Sequence, residues 1–176
     1  MATRALSLVL CCAVVLGGCA TLSEDECRSA DWGEIGYADG REGEPRSLIE
    51  GHVESCAKLG IQPDRARYFN GRERGLREYC RAENGYRVGR AGESYHDVCP
   101  AALEPAFLER YRTGKRIHEV DRRISNLESE RRLKETQLDK AKTDDERRRL
   151  RSELRNLDYS LRTARDELHF LQPRHY

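Results

Sequence analysis

Seven cysteines hold most of the reactive chemistry in this 176-residue sequence. Cys11 and Cys12 lie inside an apolar N-terminal run, and Cys19 ends it. Four more follow at positions 27, 56, 80 and 99. An even set of thiols in an oxidising space closes into disulfides; in a reducing space the same set points to metal or catalysis. Pairing Cys27 with Cys56 and Cys80 with Cys99 would let each bridge close one helix-turn-helix unit, although two other connectivities exist on paper. A rival chemistry is zinc. His52 and Cys56 are four apart, His96 and Cys99 three apart, so each pair lies on one face of a helix. No Cys-x-x-Cys supports that alternative.

Which chemistry applies depends on the compartment, and the N-terminus addresses it. Arg4 precedes the apolar stretch Ala5 to Leu16. Its length, about 12 residues, suits a signal peptide, whereas a spanning helix needs about 20. Leu16-Gly17-Gly18-Cys19 resembles a lipobox, whose cysteine is diacylated and becomes the mature N-terminus; an ordinary secretory signal cleaved nearby is the alternative. Residue 20 is alanine, which in lipoproteins of this type favours the outer membrane. The expected organisation is a signal at 1–18, a tether at 19–26, a Cys/Gly-rich helical domain at 27–114 and a helical hairpin at 115–172. Lipid would attach at Cys19, and Cys27, Cys56, Cys80 and Cys99 would form the disulfides, with no metal site.

Charged residues make up 36% of the chain and aromatics only 7%, a balance that fits long solvated helices better than one compact globule. Acidic groups predominate before Arg112 and basic groups after it. A basic arm has a use near anionic lipid or wall polymer, but it is also what a solvated coiled-coil surface looks like.

Glycine and tyrosine set the middle of the chain. Tyr37-x-x-Gly40, Tyr68-x-x-Gly71, Tyr86-x-x-Gly89 and Tyr111-x-x-Gly114 recur, with glycine pairs four apart at 36/40, 71/75 and 85/89. On a helix such pairs share one face and admit a second backbone. Because a helical glycine costs about 1 kcal/mol against alanine, close packing is the expected compensation. Helices are predicted at about 25–42, 47–59, 64–81 and 86–96, with Gly60 ending the second and Asn84-Gly85 forming a turn.

From residue 117 the pattern is heptad. Ile117, Val120, Ile124, Leu127, Arg131, Lys134, Leu138 and Ala141 alternate three and four apart. Arg147, Leu150, Leu154, Leu157, Leu161, Ala164, Leu168 and Leu171 form a second set. The phase slips around Lys142 to Glu146, where Thr143-x-x-Glu146 reads as a capping box. Folded back on each other, the two sets meet in pairs whose numbers add to 288, as Ile117 and Leu171 do. Arg131 and Lys134 would then lie over leucines and extend their charged ends outward. An antiparallel hairpin is expected, and a single long dimerising helix is the alternative.

The fold class expected is therefore all-α: a small disulfide-stapled helical domain followed by an antiparallel coiled-coil hairpin. The middle segment also resembles a family of small bacterial lipoproteins filed as domain of unknown function 2799. The resemblance rests on Cys27, Asp31-Trp32, Gly36-Tyr37-x-Asp39-Gly40, His52-x3-Cys56, Tyr68-x-x-Gly71-x3-Gly75, Tyr79-Cys80, Asn84-Gly85-Tyr86, Val98-Cys99-Pro100 and Tyr111-x-x-Gly114. It covers about residues 19–120 and implies a lipoprotein domain without an established activity.

No nucleophile elbow, zinc-protease or phosphate-loop motif occurs. Asp31, Trp32, Tyr37, Asp39, His52 and Tyr68 are the candidate binding residues. Asp31, Asp39 and His52 would make a hydrolytic cluster only by converging in one cleft. No catalytic residue, cofactor or nucleic-acid partner is expected. The leading expectation is a non-catalytic interaction or scaffolding lipoprotein on the periplasmic face of the outer membrane. It would be held to the membrane by its lipid and would bind an envelope protein or cell-wall polymer, with homodimerisation through the coiled coil as a further option. The alternative is a peptidoglycan or envelope-glycan binding module using a groove lined by Trp32, Tyr37 and Tyr68.

Overall fold

A computed structural model of the chain describes residues 20–172. The segment expected to be a signal peptide, and Cys19, expected to carry lipid, lie outside the described residues. Every regular element among the described residues is helical: α1 (Glu24–Arg28), α2 (Trp32–Glu42), α3 (Leu48–Ala57), α4 (Arg65–Tyr79), α5 (Ala82–Ala91), α6 (Glu104–Lys140) and α7 (Asp144–Leu171). Two disulfides, Cys27–Cys56 and Cys80–Cys99, have the expected connectivity. Cys56 and Cys99, the cysteines of the zinc alternative, are thus spent in S–S bonds. No described helix is long and apolar enough to cross a membrane.

The described chain divides into two compact units, and the smaller is discontinuous: residues 20–30 with 47–63. It contains α1, α3 and the Cys27–Cys56 bridge. The single helix predicted over 25–42 is in fact two. Ser29 ends α1 by donating its hydroxyl to Asp25 O, and Asp31 restarts the chain as the N-cap of α2, accepting from Gly33 N at 2.9 Å. A side chain that satisfies first-turn amides competes with helix continuation. Residues 24–26, assigned to a tether by composition, form the first turn of α1 under a Ser23–Glu26 capping box. Thr21 is docked as well, with its Oγ1 2.8 Å from His52 Nδ1 and its N–H donated to Ser55 Oγ.

The larger unit holds residues 31–46 and 64–172. Its organising feature is one helix pair built twice. In the first pair α2 lies on α4. A Cβ on Gly36, Gly40, Gly71 or Gly75 would overlap backbone atoms of the facing helix: those of Tyr68, Arg72, Gly33 and Tyr37 respectively. In the second pair α5 lies on the first turns of α6, where Gly85, Gly89 and Gly114 meet the backbones of Phe107, Tyr111 and Tyr86 in the same way. The correspondence extends into sequence. Glu34, Gly36, Tyr37, Gly40, Arg41 and Gly43 recur as Glu83, Gly85, Tyr86, Gly89, Arg90 and Gly92. Gly43 and Gly92 both end their helices in the left-handed conformation, at φ 75° and 79°. Both also lie under a ring of the partner helix, Tyr79 in one pair and His118 in the other.

The Asn84-Gly85 turn is a correction. Both residues lie inside α5, because Gly85 is needed at the Phe107 backbone and Asn84 Nδ2 donates to Tyr79 O at 2.7 Å. The same helix stops earlier than the predicted 96, at Gly92. The two pairs share an aromatic core of Tyr79, Phe107 and Tyr111 with Leu76, Val88 and the Cys80–Cys99 bridge. Tyr95 packs against it at 5.0 Å from Phe107.

α6 then runs on without interruption to join the hairpin, and α7 returns along it. The break comes at Ala141–Thr143, and the capping box opens α7 with Thr143 Oγ1 accepting from Glu146 N. Each heptad position named from sequence is buried or half-buried except Arg147. Ion pairs flank the seam: Arg116 and Arg123 with Glu167, Glu128 with Arg165 at 2.8 Å, Arg131 with Asp158 at 3.6 Å and Lys134 with Glu153 at 2.6 Å. Their residue numbers add to between 283 and 293, bracketing the 288 register. Arg131 and Lys134 reach these carboxylates from core positions, as snorkelling side chains do.

This seam should loosen in acid. The Lys134 ammonium holds the Glu153 carboxyl below its ordinary value, and hydrogen bonding from Arg123 does the same for Glu167. A carboxyl that is more acidic when folded adds stability above its unfolded value, about 4.3, and loses that contribution as pH falls through the lower folded value. Hydrogen exchange followed from about pH 6 to about pH 3 should show α7 losing protection before α4. Equal loss in both helices would show that these pairs do not hold the hairpin.

Candidate functional site

Five of the six candidate residues lie on the α2–α4 pair, and the sixth does not. His52 belongs to the smaller unit, where it is buried with Nδ1 at Thr21 Oγ1. Asp31 and Asp39 are both associated with α2, but eight residues of helix separate them by about 12 Å along its axis.

Each acid has a partner. Asp31 accepts from Gly33 N and Glu34 N at the start of α2 and from Arg67 Nη2 at 3.3 Å. Arg67 is itself set by Asp64, the N-cap of α4, which accepts from the Arg67 amide at 3.0 Å. One acid thus caps each helix, and Arg67 ties the two starts together. Asp39 accepts from the Tyr68 hydroxyl at 2.6 Å. Tyr68 is wholly buried, and burial, reinforced by the Asp39 carboxylate, pushes its phenol far above the ordinary value. It therefore acts as a neutral hydrogen-bond donor to Asp39.

The aromatic residues have a structural task. Trp32 is 7% exposed and Tyr68 is fully buried, so neither offers a face to a sugar. With glycines bringing the backbones together, the large rings fill the space beside them. Tyr37 is half-buried. Its hydroxyl donates to Glu78 Oε1 at 2.9 Å, and the Arg74 guanidinium lies 5.5 Å from its ring centre. The Glu78 carboxylate raises the Tyr37 phenol.

Sequence reasoning passed over Arg72, which the glycine contacts draw into the interior. It is 5% exposed, donates through Nη2 to Glu44 O, and its Nε has no hydrogen-bond partner among the described residues. Burial lowers its affinity for the proton, though not enough to discharge a guanidinium. A second omission is larger. Arg41, Tyr79 and Arg87 line a two-lobed polar cleft, about 700 Å³ in one lobe and 520 Å³ in the other. The only sequence signal for it was Asn84-x-x-Arg87, which places an amide one helical turn from a guanidinium. Among the described residues no cluster of three or more His, Cys, Asp or Glu has metal-binding geometry.

Comparison with known proteins is consistent with a module defined by the twin glycine pairs. No curated protein and no solved structure matches the chain. Residues 31–116, from the N-cap of α2 to the start of the hairpin, match the model of a family described as a protein of unknown function (DUF2799), so this stretch is similar to that domain.

Proposed function

We propose that the protein is a lipid-anchored scaffolding lipoprotein of the bacterial outer membrane that presents a charged helical hairpin to a protein partner in the periplasm. The observation that carries the reading is the hairpin itself. Its seam is closed by leucines and ion pairs. Outside the seam it still exposes Leu133, Tyr159 and Phe170, the last two at 68% and 79%. Large apolar groups on an otherwise charged rod are anchors of the kind that partner surfaces bury. The Leu16-Gly17-Gly18-Cys19 pattern supports the address, and the two disulfides fit an oxidising compartment.

In-cell crosslinking followed by purification tests the proposal. A partner captured by the full chain should be lost when residues 115–172 are deleted, and weakened when Tyr159 and Phe170 are both changed to serine. Capture that survives the deletion would refute a hairpin-mediated scaffold. Binding to envelope glycan is the second reading, and burial of Trp32 and Tyr68 leaves it without its aromatic platform. Cosedimentation with murein sacculi that persists after the hairpin is deleted would favour that reading.

A further inference from the structure

We infer that the cleft on the Tyr79 face of the helical domain is a binding site for a short peptide with both ends free, its carboxylate held by Arg87 and Arg81 and its ammonium by Glu44 and Glu93. The inference concerns helices upstream of the hairpin and does not rest on the scaffold reading.

Four observations carry it. First, the two lobes meet at Arg41, Tyr79 and Arg87 and then differ in charge. One continues to Arg81 and Asn84 and also carries Glu83 and Glu78, the latter paired with Arg41 and Tyr37, so bases outnumber acids there; the other continues to Glu42, Glu44 and Glu93, where acids outnumber bases. Second, these charges are unspent. Among the described residues neither Arg81 nor Arg87 has a carboxylate within ion-pair distance, and Glu44 and Glu93 have no cation there. Third, Arg87 is held in place. Its Nε and Nη2 donate to Asn84 Oδ1 at 2.9 and 2.7 Å, while Asn84 Nδ2 donates to Tyr79 O. A neutral amide fixes the guanidinium without neutralising it. Of five N–H donors, three remain to meet a carboxylate in the planar, paired manner that arginine favours.

Fourth, Tyr79 is 4% exposed yet lines both lobes. Its ring is packed 5.2 Å from Phe107 and lies over Gly43, where a Cβ would overlap it. Its hydroxyl has no hydrogen-bond partner among the described residues and is not sealed from solvent, so it opens on the cleft. Burial pushes the phenol up to about 12, with Glu93, Glu44 and Arg87 among the charges around it. It is therefore a fixed neutral donor at the boundary between the two charged lobes. A zwitterion satisfies both lobes at once, whereas a simple anion or cation leaves one set of charges unmet.

Calorimetric titration of the full chain with trialanine, and with its N-acetyl and C-amide forms, tests the inference. Trialanine should bind saturably, and capping either end should weaken binding about tenfold or more. In the double variant Arg81→Gln/Arg87→Gln the free and amidated peptides should bind alike. In the double variant Glu44→Gln/Glu93→Gln the free and acetylated peptides should bind alike. These side chains lie at the cleft surface, so unchanged thermal melts should accompany the loss. Absence of saturable binding, indifference to capping, or a carboxylate preference that survives in Arg81→Gln/Arg87→Gln would each overturn the assignment.

Discussion

Changing Gly71 to alanine should lower the melting temperature by about 5 °C or more, although helix propensity taken alone predicts a gain of about 1 kcal/mol. The added Cβ would overlap the Gly33 carbonyl oxygen and lie 2.8 Å from its carbon and 3.0 Å from Tyr37 N. All three are backbone atoms of α2, so no side chain can rotate aside. The helices would have to separate, and the contacts at Gly36, Gly40 and Gly75 would loosen with them. Overpacking of this kind costs about 3 kcal/mol, which outweighs the propensity gain. Thermal unfolding of Gly71→Ala reads the sign directly, and a higher melting temperature would show that the helices are not locked at this contact. Gly60→Ala provides the contrast. Gly60 has φ 69° with nothing within 4 Å of a built Cβ, so only backbone strain enters, about 1 kcal/mol.

The second large effect concerns the smaller unit. Replacing Cys27 and Cys56 with serine should unfold α1 and α3 while leaving α4 to α7 protected from hydrogen exchange. α1 has five residues and α3 ten, whereas isolated helices below about 12 residues are marginal in water. The buried residues of these two helices are Cys27, Ile49, His52 and Cys56, so half of them are the bridge. Removing a bridge that spans 29 residues gives up about 3–4 kcal/mol, more than so small a core offers in return. The larger unit keeps its glycine contacts and aromatic core in this variant. Retained protection at Cys27 to Ser29 and across α3 would mean that packing, not the disulfide, holds this unit.

How much of this was legible in the sequence follows from how local each signal is. The hairpin was legible because a heptad pattern is written in neighbouring residues and the Thr143–Glu146 box marks the restart in four. The disulfide pairing was legible because each bridge joins cysteines that are neighbours in sequence, although each loop proves to enclose a whole helix, α2 in one and α5 in the other. Asp31 and Trp32 were harder. An acid beside an aromatic reads equally as a helix cap or as a site, and the capping geometry at Gly33 and Glu34 resolves it as a cap. Tyr68 and Trp32 read as a platform because burial cannot be inferred from residue type alone. The cleft around Tyr79 was barely legible, since Arg41, Tyr79 and Arg87 come from three different helices, Glu93 follows the last of them, and only Asn84-x-x-Arg87 is a local spacing.

By itself, then, the sequence determined the helical class, the hairpin register, the even set of cysteines and the fact that several helices approach one another at glycine. Only the tertiary structure decided which helix meets which: α2 with α4 across the intervening α3, and α5 with α6. The reason is physical. A glycine contact is a missing side chain, and missing side chains do not encode a partner. They permit close approach to any backbone with a matching gap, and the choice falls to the burial of Tyr68, Arg72, Tyr79 and Phe107 beside those gaps.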